Sequence, residues 1–80
     1  MASFNNLPFR KSPFIAARDE EGKTPLHIAA EKNHLYAARI LLERGAKVMP
    51  KDNIGKTPLD YAESAEMIKL LKNYGAREGN

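Results

Sequence analysis

The sequence predicts an all-α fold of stacked antiparallel helix pairs joined by hairpin-like turns. Three observations carry that expectation: an eleven-residue block recurs 33 residues downstream, each copy opens a helix with Thr-Pro, and each unit closes on glycine. The block Asp19-Glu20-Glu21-Gly22-Lys23-Thr24-Pro25-Leu26-His27-Ile28-Ala29 is matched by Asp52-Asn53-Ile54-Gly55-Lys56-Thr57-Pro58-Leu59-Asp60-Tyr61-Ala62, with seven of eleven positions identical. Ile40-Leu41-Leu42-Glu43-Arg44-Gly45-Ala46 recurs as Leu70-Leu71-Lys72-Asn73-Tyr74-Gly75-Ala76 at an offset of 30, so the second unit lacks three residues between its halves. A fixed period of this length marks one supersecondary unit repeated and stacked.

Each element follows from local chemistry. Asp-x-x-Gly predicts a turn, because Asp bonds the backbone ahead of it and Gly accepts positive φ. Thr24 and Thr57 are placed to cap the helices that follow, and proline at the first helical position gives up no needed N–H. In the first helix Leu26, Ala29 and Ala30 share one face, and the alanines let another helix approach closely. Asn33 is expected to end that helix, since Asn tolerates the left-handed conformation. A second helix is expected near Leu35–Arg44, stopped by Gly45. The link from Gly45 to Gly55 is polar and turn-rich, with Val48 as its β-prone anchor, and predicts an extended turn, not a sheet. In the second unit a short helix is expected over Pro58–Glu63. Ser64 is then placed to cap a helix over Ala65–Asn73 that carries Met67, Ile68, Leu70 and Leu71 and stops at Gly75.

Charge is informative in its placement. The 80 residues carry 13 basic and 10 acidic side chains, a net charge of +3. Arg10, Lys11 and Arg18 account for all of it, because residues 1–18 contain no acid and residues 19–80 sum to zero. The pattern predicts a short basic arm before a balanced domain, not a uniformly basic nucleic-acid surface. With no cysteine there is no disulfide framework and no thiolate metal site. No apolar stretch approaches the ~20 residues of a membrane span, and no secretory signal pattern opens the chain. The expected location is therefore intracellular, in cytoplasm or nucleus, or inside a host cell if the source is bacterial.

Sites of chemistry are excluded one at a time. Gly22-Lys23-Thr24 and Gly55-Lys56-Thr57 resemble the end of a phosphate-binding loop, but the glycine required five residues earlier is Ala17 or Pro50. His27 and His34 lie across a predicted helix break and form no metal pair, and Asp60 replaces His27 in the second unit. Glu20, Glu21 and Asp52 are the obvious carboxylates, and they are expected in turns open to water, where nothing raises a pKa. There is no nucleophile elbow. The expectation is a non-catalytic chain with no cofactor and no metal.

Asp-x-x-Gly-x-Thr-Pro-Leu-His-x-Ala-Ala, followed by Leu-Leu-x-x-Gly-Ala at this period, resembles the ankyrin repeat. The resemblance covers residues 19–51 as a full unit and 52–76 as a shortened one. Residues 14–18 align with 47–51 and resemble the tail of a preceding unit; Leu7 falls opposite Ile40, though Pro8, Ser12 and Pro13 spoil the helix pattern. Residues 77–80 make a polar tail. In this family the His27 position braces its turn through backbone or threonine groups. Met49-Pro50 departs from the family, which often carries an Asn that ties the inter-repeat turn, so that turn is expected to be held by other means. Lys72 stands where the first unit has Leu42, as suits a face that meets solvent in a last repeat.

The resemblance implies a module that binds a protein, free-standing or part of a larger scaffold or adaptor. The partner-facing positions it implies are Glu20, Glu21, Lys23, Glu31 and Lys32 in the first unit, and Lys51, Asn53, Ile54, Lys56 and Glu63 in the second. Most are charged, so recognition is expected to be electrostatic and weakened by salt. Ile54 is the apolar exception, either an anchor for a partner's pocket or a scattered surface side chain. The alternative is a nucleic-acid or acidic-surface binder acting through the basic arm. No membrane role is expected. Fewer than about three repeats stack marginally, so either residues 7–18 fold back as a cap, or a partner or a second copy completes the stack.

Overall fold

A computed structural model describes residues 15–77. It contains four helices: α1 (Pro25–Glu31), α2 (Leu35–Glu43), α3 (Pro58–Tyr61) and α4 (Ala65–Asn73). No strand occurs among the described residues. The inner helices α1 and α3 pack on each other, as do the outer helices α2 and α4, and each inner helix packs on its own outer partner. This is the expected pair of stacked helix hairpins.

The starts and stops follow the sequence chemistry. Thr24 is extended and accepts the His27 N–H, while Pro25 occupies the first helical position. Asn33 takes φ 59° and turns the chain out of α1. There the His34 N–H reaches the Ala29 carbonyl at 2.8 Å, satisfying a helix-end acceptor. At the end of α2, Gly45 donates to Leu42 and Ala46 to Leu41; at the end of α4, Gly75 donates to Lys72 and Ala76 to Leu71. Both outer helices thus close through the same pair of backward bonds. Ser64 caps α4 by accepting the Met67 N–H at 3.0 Å and donates to Asn33 Oδ1 at 2.7 Å. One hydroxyl therefore starts a helix and ties the second unit to the first.

α3 is shorter than the sequence reading expects, ending at Tyr61 and not at Glu63. The reason lies in the three missing residues. α2 and α4 each have nine residues, and the links 32–34 and 62–64 each have three, whereas α1 has seven and α3 has four. The deletion is taken out of the inner helix, because Ala62 must already be extended for Ser64 to reach its cap position. α2 ends at Glu43, one residue before the expected limit.

The core lies between the two layers. Leu26, Ala29, Ala30, Ala38, Leu42, Leu59, Met67, Leu71 and Ala76 are buried in it. Val48 and Met49 pack against this cluster from the inter-unit link, and Pro50 is buried. Thus the Met-Pro pair fastens the link by apolar contact where the family often uses a polar side chain. Leu42 is buried whereas Lys72, its counterpart, is exposed.

Candidate functional site

The two Asp-x-x-Gly turns project side by side from the inner helices. In the first, Asp19 Oδ1 accepts the N–H groups of Glu21 and Lys23, both at 2.9 Å. In the second, Asp52 Oδ1 accepts Ile54 N–H at 3.1 Å and Lys56 N–H at 2.8 Å. Each turn is closed again by backbone bonds between its ends.

The turns are also bolted to one another. Asn53 N–H donates to Glu21 O at 2.9 Å, and Asn53 Nδ2 donates to Glu20 O at 3.0 Å. Arg18 Nη1 donates to Gly22 O at 2.8 Å and to Lys51 O at 2.6 Å. His27 supplies a third tie. A carbonyl can only accept, so the 2.8 Å contact from His27 Nε2 to Lys56 O places the ring proton on Nε2. Nδ1 is then the acceptor for the Thr24 N–H at 3.0 Å. The ring braces its own turn and reaches into the next unit. Asp60 does the first half of that work, accepting Thr57 N–H at 2.9 Å, but offers no second arm.

Tyr61 organises the charges behind the turns. Its hydroxyl donates to Asp52 Oδ2, and its ring meets the His27 ring edge-on with centroids 5.9 Å apart. Lys23 Nζ lies 4.8 Å from the Tyr61 ring centre and Lys56 Nζ 5.9 Å from it. Lys23 also pairs with Glu21 at 3.2 Å and Glu31 at 3.1 Å. Those hydrogen bonds, Glu31 first and Glu21 second, hold the ammonium well above the ordinary lysine range. Donation to Asp52, then burial, raises the Tyr61 hydroxyl above its usual value.

Asp52 corrects one expectation. It is not open to water: it is 7% exposed. Burial pushes its carboxyl up, but hydrogen bonds from the Tyr61 hydroxyl and from Lys56 and Ile54 N–H outweigh that and hold it below the ordinary value. The result is a fixed anion with its lone pairs engaged, suited to holding a turn and not to abstracting protons.

The ten partner-facing residues fall into two groups. Glu20, Glu21, Glu31, Lys32, Lys51, Ile54, Lys56 and Glu63 present exposed side chains, Ile54 at 72%. Lys23 and Asn53 are tied into the scaffold; Asn53 is exposed but spends its amide on Glu20 O, and the Lys23 side chain is only 13% exposed. The turn residues and Glu31 are brought together along one ridge by the ties above. Sequence reasoning missed Tyr61 and Arg18. Tyr61 stands at the counterpart of Ile28, so an aromatic replacing an aliphatic was the available signal. Of the basic arm, Arg18 is engaged with two carbonyls, while Arg10 and Lys11 lie outside the described residues. Among the described residues no group of three or more His, Asp or Glu side chains is placed to hold a metal ion. No helix there is long and apolar enough to cross a membrane.

The family model described as Ankyrin repeats (3 copies) matches residues 4–79. The chain belongs to the ankyrin-repeat family. Among similar proteins, the Potassium channel GORK of Arabidopsis thaliana is 40% identical over 60 residues, covering 71% of this chain and 7% of the channel. The Serine/threonine-protein kinase VIK of the same plant is 42% identical over 64 residues, covering 76% of this chain and 15% of the kinase. An ankyrin repeat-containing protein of Schizosaccharomyces pombe is 39% identical over 61 residues, covering 75% of this chain and 30% of the relative. The aligned part thus spans less than a third of each of these relatives. Ankyrin repeats are protein–protein interaction modules, and the match places this chain among them.

Proposed function

We propose that this ankyrin-repeat chain is a non-catalytic docking module whose partner protein is held along the ridge formed by the two turns. The observation that supports it is the locked pair of turns: Arg18 and Asn53 fix their spacing, so the backbone that carries the exposed charges needs no ordering at binding. Glu20 and Glu21 give the first turn an acidic tip. Lys51 and Lys56 flank the second, whose own Asp52 is buried. The partner surface is complementary, with basic groups facing the first turn and acidic groups facing the second. In this reading Ile54 is a scattered apolar side chain, and Ile54→Ala leaves affinity unchanged.

The test is capture of a specific partner by the wild-type chain beside a variant reversed at Glu20, Glu21, Lys51 and Lys56. Loss of the same partner, with the helical spectrum retained, supports the ridge; retention overturns it. Deleting residues 1–12 separates the alternative class, since a ridge binder keeps its partner and an arm-driven binder loses it.

A further inference from the structure

Lys23 and Lys56 stand at the same place in their turns, 33 positions apart, and both ammonium groups lie by the Tyr61 ring, 4.8 Å and 5.9 Å from its centre. Their surroundings differ. Lys23 is satisfied from within the chain, with Glu21 at 3.2 Å and Glu31 at 3.1 Å from its Nζ. Lys56 is exposed, and among the described residues no carboxylate pairs with its ammonium.

The difference is written in the two copies. The residue two positions before Lys23 is Glu21, whereas the residue two positions before Lys56 is Ile54. Glu31 is the last residue of α1; α3 stops after four residues, so the turn of helix that would carry a matching acid is absent. The residue 33 positions on from Glu31 is Ser64, which caps α4. The anion of the second turn is no substitute. Asp52 is buried, with Oδ1 on the Ile54 and Lys56 N–H groups and Oδ2 on the Tyr61 hydroxyl. Asp60 turns its Oδ2 to Thr57. An ammonium has three donors and no acceptor. The first unit shows what completes it in this setting, and the second keeps the lysine and the ring but has lost both acids.

We propose that Lys56 is a carboxylate socket on the ridge: an Asp or Glu side chain of the partner takes the place at Lys56 Nζ that Glu21 and Glu31 take at Lys23. The proposal rests on the ridge reading and narrows it to one contact. Tyr61 is fixed by its bond to Asp52 and its edge contact with His27, so the aromatic backing of the ammonium is in place before the partner arrives. The ligand is a carboxylate because that is the group the occupied copy takes. Lys23, already neutralised, contributes no such contact, so two equivalent lysines do different work.

The test uses the full chain and a random peptide library displayed on phage. Binders selected on the wild-type chain are expected to share an Asp or Glu. A synthetic copy of one is expected to bind about tenfold more weakly to Lys56→Met and to Ile54→Glu, measured by fluorescence anisotropy. Ile54→Glu restores the acid that the first unit has at this position and fills the socket from within, while Ile54→Ala leaves affinity unchanged. Changing the shared acid of the peptide to its amide is expected to weaken binding to the wild-type chain and to cost nothing further on Lys56→Met. Failure to recover binders that share an acid, or full affinity for either Lys56→Met or Ile54→Glu, overturns the proposal. Binding lost on the combined reversal of Glu20, Glu21, Lys51 and Lys56 but kept by Lys56→Met overturns the socket alone. Binding kept by the combined reversal overturns the ridge reading as well. Should Lys56→Met lose its helical spectrum, Ile54→Glu decides.

Discussion

Gly22 and Gly55 occupy the same place in their turns, with φ of 80° and 81°, yet only one of them is crowded. A Cβ at Gly22 would sit 2.9 Å from Asn53 N and closer still to the Asn53 side chain; at Gly55 it would meet nothing within 4 Å. Both Gly→Ala changes incur the left-handed strain of about 1–2 kcal/mol. Gly22→Ala also displaces the Asn53 tie, so urea denaturation is expected to show the larger loss at Gly22. His27→Asp retains the bond to Thr24 N–H, as Asp60 shows, but loses the donor to Lys56 O. A cost of about 1–3 kcal/mol is expected, read by the same denaturation curves. Asp52 has its folded pKa below its unfolded value, so its contribution is present above roughly pH 4 and is lost as pH falls through the folded value. Tyr61→Phe removes one of the bonds that lower that pKa. Its acid unfolding midpoint is therefore expected at higher pH than wild type, followed by circular dichroism. These details were partly legible beforehand. The capping threonines, Asn33 and the Asp-x-x-Gly turns declare themselves locally. The burial of Asp52 does not, because it depends on Tyr61 folding back from nine residues downstream.

The helices differ in how much of their structure is local. α4 has a serine cap, an apolar face and a glycine stop, and its limits were readable to the residue. α3 was not, since its length is set by where Ser64 must sit and not by any breaker inside it. Ser64 joins two tasks, so Ser64→Ala removes the α4 cap and the bond to Asn33 together. A loss of about 1 kcal/mol is expected for the cap alone. A double-mutant cycle with Asn33→Ala isolates the inter-unit term. Leu71 is fully buried at the centre of the outer layer. Leu71→Ala is expected to cost about 2–5 kcal/mol, a large fraction of the stability of a domain this small, measured by calorimetry.

Stability of the stack as a whole is a nearest-neighbour sum. The ties that cross between units, from Arg18, His27, Asn53 and Ser64, lie at both ends of the inner layer and bracket the apolar contact between α1 and α3. Thermal unfolding of the full chain is expected to be one transition whose midpoint is unchanged over a hundredfold range of concentration. A midpoint that climbs with concentration would show self-association. The repeat period announced this layering in advance, because two copies of one pattern must solve the same packing problem. It was silent on the charge cluster around Tyr61, which arises where the copies differ.

Arg18 bonds the carbonyl of Lys51, and Asn53 bonds the carbonyl of Glu20, in each case 33 positions apart. The partners are each other's counterparts, so the two clasps act as a gauge that checks the number of residues between them. One residue inserted anywhere from 21 to 50 without local looping-out would throw both clasps out of register at once. Downstream of Tyr61 the tie between the units, Ser64 to Asn33, spans 31 positions and not 33, and there the second unit is three residues shorter than the first, with the inner helix a turn shorter. Tolerance to gain or loss of residues is therefore lopsided: strict on the side that carries the tips, lenient where the inner helix runs out.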